Sequence, residues 1–91
     1  MSVTIFIPTA LRKKVGNSST VTVSGQTVRE AITGLDQSYP GLFFHLCYET
    51  GELRPYVNIF LNTEDIRRYQ GLDTPVPPDA TIHILQSVAG G

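Results

Sequence analysis

The sequence lacks several features that would place it in a distinctive class of proteins. It has one cysteine among 91 residues, so an internal disulfide is impossible, which fits a reducing cytoplasm. No apolar run approaches the roughly 18 residues that a membrane-spanning helix needs, and the first residues show no secretory signal. Seven basic and eight acidic residues leave a formal charge of -1, so no excess charge draws the chain to nucleic acid or membrane. We therefore expect a cytoplasmic protein that binds neither.

Motifs for catalysis or cofactor binding are also missing. The chain has no Gly-x-x-x-x-Gly-Lys-Ser/Thr loop for phosphate and no paired carboxylates placed for acid–base work. His45 and His83 are far apart and have no second pair of ligands, so a metal site is not expected. Cys47 lies in an apolar run, which favours a packing residue over a nucleophile. We expect a chain that is not itself an enzyme and that holds no cofactor or metal ion stably.

The residues that are present predict one folded domain over residues 1–91. Apolar residues make up 41% and charged residues 16% of the chain, as in ordinary globular proteins. Alternation of apolar and polar side chains predicts strands over residues 3–7, 20–24, 56–62 and 81–87, with a short edge strand over 66–68.

One main helix is predicted between the second and third strands. Thr27 and Glu30 have the spacing of a capping box, and apolar residues follow at helical intervals as far as Tyr39. A further helical turn is predicted over residues 42–47. The elements assemble into an α+β roll, one mixed sheet of four or five strands holding one helix. We place the first strand at its centre, with the last strand parallel to it.

The residues beyond the last strand, from about residue 87, are expected to form a flexible tail that ends in Gly90 and Gly91. Glycine accepts backbone angles that other residues avoid and carries no side chain. Five extended residues reach roughly 17 Å, enough to enter a narrow slot in another protein. Taken alone, such a tail is typical of a frayed terminus.

Three segments of the chain are similar to one known family. These are the opening VTIFIPTALR (3–12), the strand and turn YVNIFLNTEDIR (56–67) and the ending VAGG (88–91). Together, in this order, they resemble the ThiS/MoaD sulfur-carrier proteins, and most closely the CysO-like branch that serves cysteine synthesis. The resemblance covers essentially the whole chain and implies a β-grasp, or ubiquitin-like, fold.

The resemblance also implies a mechanism at the tail. An adenylating enzyme of the ubiquitin-activating type would use ATP and magnesium to attach AMP to the Gly91 carboxylate. A sulfur donor would then replace AMP and leave a thiocarboxylate, whose sulfur a cysteine synthase-like enzyme would accept. Gly90 would keep the tail narrow, and Val88 and Ala89 would contact the partner. A protease would act first if further residues followed Gly91.

Other functions remain open. The chain could instead be the small subunit of molybdopterin synthase, a sulfur carrier for thiamine synthesis, a ubiquitin-like protein modifier, or a binding module whose tail has no chemistry.

Two sets of side chains are candidates for contact with a partner. Phe6, Phe60, His83 and Leu85 all fall on the outward face of the predicted sheet, where a contiguous apolar patch often marks a docking site. The basic residues Arg12, Lys13, Lys14, Arg67 and Arg68 are interpreted as solvated loop charges. An alternative has them meeting an acidic partner surface.

Overall fold

A computed structural model describes residues 2–86, and its strands form one five-stranded sheet. The predicted tail residues Val88, Ala89, Gly90 and Gly91 lie outside the described residues. The strands are β1 (Ser2–Phe6), β2 (Thr20–Ser24), β3 (Val57–Leu61), β4 (Glu64–Asp65) and β5 (Thr81–Gln86). The α-helices are α1 (Val28–Ser38) and α2 (Leu42–Leu46). Three 3-10 helices span Thr9–Val15, Ile66–Arg68 and Gly71–Asp73.

The strand order across the sheet is β2-β1-β5-β3-β4. β1 is antiparallel to β2 and parallel to β5, while β3 is antiparallel to both β5 and β4. The parallel pairing of the first and last strands was predicted, but the prediction that β1 lies at the centre was wrong. β5 is central because it pairs on its other side with β3.

Helix α1 covers one face of the sheet and begins at the predicted capping box. The Thr27 hydroxyl accepts a hydrogen bond from the Glu30 backbone N–H at 3.1 Å. The Glu30 carboxylate accepts from the backbone N–H of Gln26, the residue before the N-cap, at 3.0 Å. One donor in the first turn of the helix and one donor just ahead of it are thereby satisfied. The buried stripe of α1 consists of Val28, Ala31, Ile32 and Leu35. These side chains pack with the inward-facing residues of the strands into the core, as their spacing predicted.

The short edge strand is misplaced in the sequence-based prediction. Residues Ile66–Arg68 form a 3-10 helix, and the residues that pair with β3 are Glu64 and Asp65. The Asp65 carboxylate accepts a hydrogen bond from the Arg67 backbone N–H at 2.9 Å and caps the helix. Because the Asp65 side chain caps the following turn, the pairing of β4 with β3 ends at Asp65.

The segment between β1 and β2 is helical where a loop was expected. The 3-10 helix Thr9–Val15 buries Leu11 and Val15, and it ends at Gly16, whose φ of 66° is left-handed. It lies at the end of the sheet where β1 ends and β2 begins, because the Ile7 backbone N–H donates to the Ser19 carbonyl at 2.8 Å.

Candidate functional site: an apolar sheet face and the exit of the tail

The outward face of the sheet carries a row of rings across three adjacent strands. Phe6 of β1 lies opposite His83 of β5, and His83 lies opposite Phe60 of β3. The rings of Phe6 and His83 stack, with centroids 4.3 Å apart and an interplanar angle of 5°. Stacking therefore fixes the rings of Phe6 and His83 against each other on the face of the sheet that α1 leaves uncovered.

Leu85 extends this row towards the end of β5. It lies two residues beyond His83 and therefore projects from the same face, with 52% of its surface exposed. A cavity of about 310 Å³ is lined by Phe60, His83 and Leu85 together with Asn62 and Thr63. The structure thus brings together the four residues predicted as a patch, which we call the ring patch: Phe6, Phe60, His83 and Leu85. Their role in partner binding stays a prediction.

The tail leaves the sheet beside a second cavity. Gln86, the last residue of β5, lies opposite Val57 at the start of β3. A cavity of about 520 Å³ adjoins this point, and Gln86, Leu85, Pro8 and Arg12 are among its lining residues. Gln86, the last described residue, thus lies beside both this cavity and the Leu85 end of the ring patch.

Two arginines are held at this end by contacts that the sequence did not reveal. Arg12 donates from Nε to the Ile7 carbonyl at 3.1 Å. Arg67 donates from Nη2 to the Val57 carbonyl at 2.8 Å and from Nη1 to Asn58 Oδ1 at 2.6 Å. Both were interpreted as solvated loop charges. No spacing in the sequence connects them, because only the strand order brings their loops to one end of the sheet.

Cys47 has the environment of a structural residue. Its side chain is fully buried, and burial raises the pKa of the thiol, although Arg29 and Arg54 partly oppose the rise. A thiol held in its protonated form is a poor nucleophile, so the prediction of a packing residue is confirmed.

Histidine, cysteine and carboxylate side chains form no metal-binding cluster within residues 2–86, since no group of three or more lies close enough to hold an ion. In the same part of the chain, no helix is both long and apolar enough to cross a membrane.

A mixed sheet that holds a helix on one face, and whose central strand leads into the C-terminal tail, defines a protein of the β-grasp class. The model of the ThiS family matches residues 5–91. The chain belongs to the ThiS family.

Individual relatives agree with this assignment. The sulfur carrier protein CysO of Mycobacterium tuberculosis is 39% identical over 93 aligned residues, which cover 100% of both chains. Its crystal structure matches with a TM-score of 0.89, covering 94% of this chain and 99% of that one. A chain of the Amycolatopsis orientalis BexX/CysO complex gives a TM-score of 0.91 at 37% identity, covering 98% and 99%. The predicted family, the β-grasp fold and the predicted class of sulfur carrier are confirmed.

One further relative is named for a different use of the same fold. The small archaeal modifier protein 3 of Haloferax volcanii is 31% identical over 65 residues, covering 71% of this chain and 70% of its own.

Proposed function

We propose that the chain carries sulfur as a thiocarboxylate on Gly91. An α-carboxylate has a pKa of roughly 3.5 and is ionised at neutral pH, so its oxygen can attack the α-phosphorus of ATP and release pyrophosphate. The mixed anhydride with AMP is a far better acceptor than the carboxylate. Sulfur at the oxidation level of hydrosulfide, supplied by a donor, then attacks the carbonyl carbon, and AMP leaves with its oxygen as the bond from that carbon breaks. One difficult substitution is thereby divided into two easier ones, the logic of covalent catalysis.

In this proposal the chain is the substrate of other enzymes. ATP and magnesium bind to the adenylating enzyme, which acts on the tail, and a cysteine synthase-like enzyme accepts the sulfur. A separate sulfur donor charges the adenylate, and a protease exposes Gly91 if residues follow it. The lone buried Cys47 suits a reducing compartment, and we place the reaction in the cytoplasm.

The observation that carries the proposal is the similarity to CysO along the entire chain. Since the match includes the strands as well as the tail, it supports both the surface that docks and the group that reacts. It also favours cysteine synthesis over the thiamine and molybdopterin branches as the destination of the sulfur.

Mass spectrometry of the C-terminal peptide tests the proposal. With the adenylating enzyme from the same genome, ATP, magnesium and a sulfur donor, the peptide should gain the mass difference between sulfur and oxygen. We expect Gly91→Ala to lower the yield at least about tenfold, because a methyl group crowds the reacting carbon. A chain lacking Gly90 and Gly91 should not be charged. Equal charging of wild type and Gly91→Ala would contradict the assignment of Gly91, and no charging of wild type would contradict the function.

A second candidate is a ubiquitin-like protein modifier, which the similarity to small archaeal modifier protein 3 favours. The same adenylate would then be attacked by a lysine amine of a target protein, forming an isopeptide bond. The mass measurement separates the two, because a conjugate gains the mass of a whole protein.

A further inference from the structure

Within residues 2–86, most of the basic side chains form no ion pair. Of the seven lysine and arginine side chains, only two lie within 4 Å of a carboxylate in the described part of the chain. Arg29 pairs with Asp73 at 3.1 Å and Arg68 pairs with Glu64 at 4.0 Å. The remaining five we call the basic collar: Arg12, Lys13, Lys14, Arg54 and Arg67.

Three loops bring the collar to one end of the sheet, the end from which the tail leaves. Lys13 and Lys14 belong to the 3-10 helix of Arg12, and Arg12 lines the same cavity as Gln86. On the other side of Gln86, Arg67 binds the carbonyl of Val57, its partner in β3.

Arg54 lies, like Arg67, on the β3 side of Gln86. Its carbonyl accepts a hydrogen bond from the Val57 backbone N–H at 3.0 Å, and its guanidinium lies over the Tyr48 ring, 4.7 Å from the centroid.

Several carboxylates lie at the opposite end of the sheet. Glu64 and Asp65 pair with the far end of β3, and the backbone of Asp79 donates to Ser2, where β1 begins. Two exceptions, Glu52 and Asp73, line a cavity with Arg67. Asp73 pairs with Arg29, and neither carboxylate forms an ion pair with Arg67 within the described residues. A chain of formal charge -1 therefore gathers five of its seven basic side chains at the end of the sheet where Gln86 lies.

We propose that the basic collar docks a carboxylate-rich protein surface that surrounds the entrance of the site receiving the tail. The inference rests on the proposed function, in which an enzyme takes up the Gly91 carboxylate. Opposite charges around the entrance would accelerate encounter and orient the tail, since complementary charge acts chiefly on association rate. A protein fits better than nucleic acid because the acidic remainder of the chain would repel an extended polyanion.

Stopped-flow association with the adenylating enzyme tests the collar. The variant Lys13→Gln with Lys14→Gln removes two charges from side chains that are exposed and make no hydrogen bond within the described residues. We expect its association rate to fall about fivefold at about 20 mM sodium chloride and less than about twofold at about 500 mM, where salt screens the charges. The matched control, Thr33→Glu with Gln37→Glu, changes the net charge equally on the exposed side of α1 and should keep the wild-type rate.

Three results would overturn the proposal that the basic collar docks a carboxylate-rich surface. The first is an unchanged association rate in the lysine variant, and the second is an equal fall of that rate in the control variant. The third is binding of a single-stranded RNA oligonucleotide at physiological salt that the lysine substitutions weaken while the association rate with the enzyme stays unchanged. Wild-type chain that is charged normally while the lysine variant binds at the same rate would refute the collar and leave the proposed function standing. Circular dichroism melting checks that both variants are folded.

Discussion

At the residue scale, the buried Cys47 links stability to pH. Burial raises the pKa of its thiol in the folded chain, whereas in the unfolded chain the thiol loses its proton near about pH 8.5. Above that pH the unfolded state releases a proton that the folded state keeps, so stability falls as the pH rises towards the folded-state pKa. Below it, both states hold the proton and the contribution is fully present.

We therefore predict that the free energy of unfolding falls between about pH 7.5 and about pH 9.5, and by less in Cys47→Ala than in wild type. Urea denaturation at the two pH values measures both. The alanine variant controls for the other titrating groups, because it differs from wild type only in lacking the thiol. Equal falls in the two proteins would show that Cys47 is not the group responsible.

At the scale of the element, we expect alanine substitution to have opposite effects on stability at two glycines near helix α1. A Cβ on Gly25, between β2 and α1, would lie 2.7 Å from the backbone nitrogen of Ala31. A Cβ on Gly34, inside α1, would lie 3.4 Å from the Ser24 carbonyl and 3.5 Å from Val23, which is ordinary contact.

Gly25→Ala should thus destabilise the chain by about 1–3 kcal/mol through overpacking. Gly34→Ala should stabilise it by up to about 1 kcal/mol, the helix propensity that alanine gains over glycine. Thermal melting of the two variants beside wild type gives both signs in one experiment. A destabilising Gly34→Ala would contradict the prediction and show that the added methyl group crowds β2.

The ring patch makes a prediction for the three strands that carry it. Phe60→Glu should weaken binding to the adenylating enzyme about tenfold or more, because it puts a charge into an apolar docking surface. It should leave the fold intact, because Phe60 is only partly buried and lies outside the core. Calorimetric titration measures the affinity. Thr22→Glu, on the same face but on β2, is the control. Native affinity in a folded Phe60→Glu variant would remove the patch from the interface.

Prediction from the sequence succeeded for elements whose apolar residues recur at a regular interval. It failed where a hydrogen bond from a side chain changes the course of the backbone. The alternation around Ile59 and the capping box at Thr27 identified β3 and α1, and the structure shifts their ends by only a residue. The segment at Ile66 was read as a strand because its residues are compatible with one. The segment is instead a 3-10 helix, which the Asp65 carboxylate caps with a hydrogen bond. Such a local hydrogen bond leaves no periodic pattern in the sequence.

At the scale of the whole molecule, the site depends on strand order, which the sequence restricts without fixing. The ring patch could be predicted because Phe6, Phe60 and His83 each occupy an outward position on a recognisable strand. The collar was foreseen only in part, since four of its five residues were named as an alternative contact for an acidic partner surface and Arg54 was not. The loops of Arg12, Arg54 and Arg67 converge only when β5 lies between β1 and β3. The sequence-based placement of β1 at the centre left that convergence out of view.

The central position of β5 also has a consequence for synthesis on the ribosome. A chain that has been translated only as far as Ala80 contains β1 with β2 and β3 with β4, but not the strand that joins the two pairs. The sheet closes through contacts between residues distant in sequence, which form late. A prematurely terminated chain therefore lacks the strand that carries His83 and Leu85 of the ring patch. Under the proposed function, such an incomplete product would not compete with the finished chain for its partner enzymes.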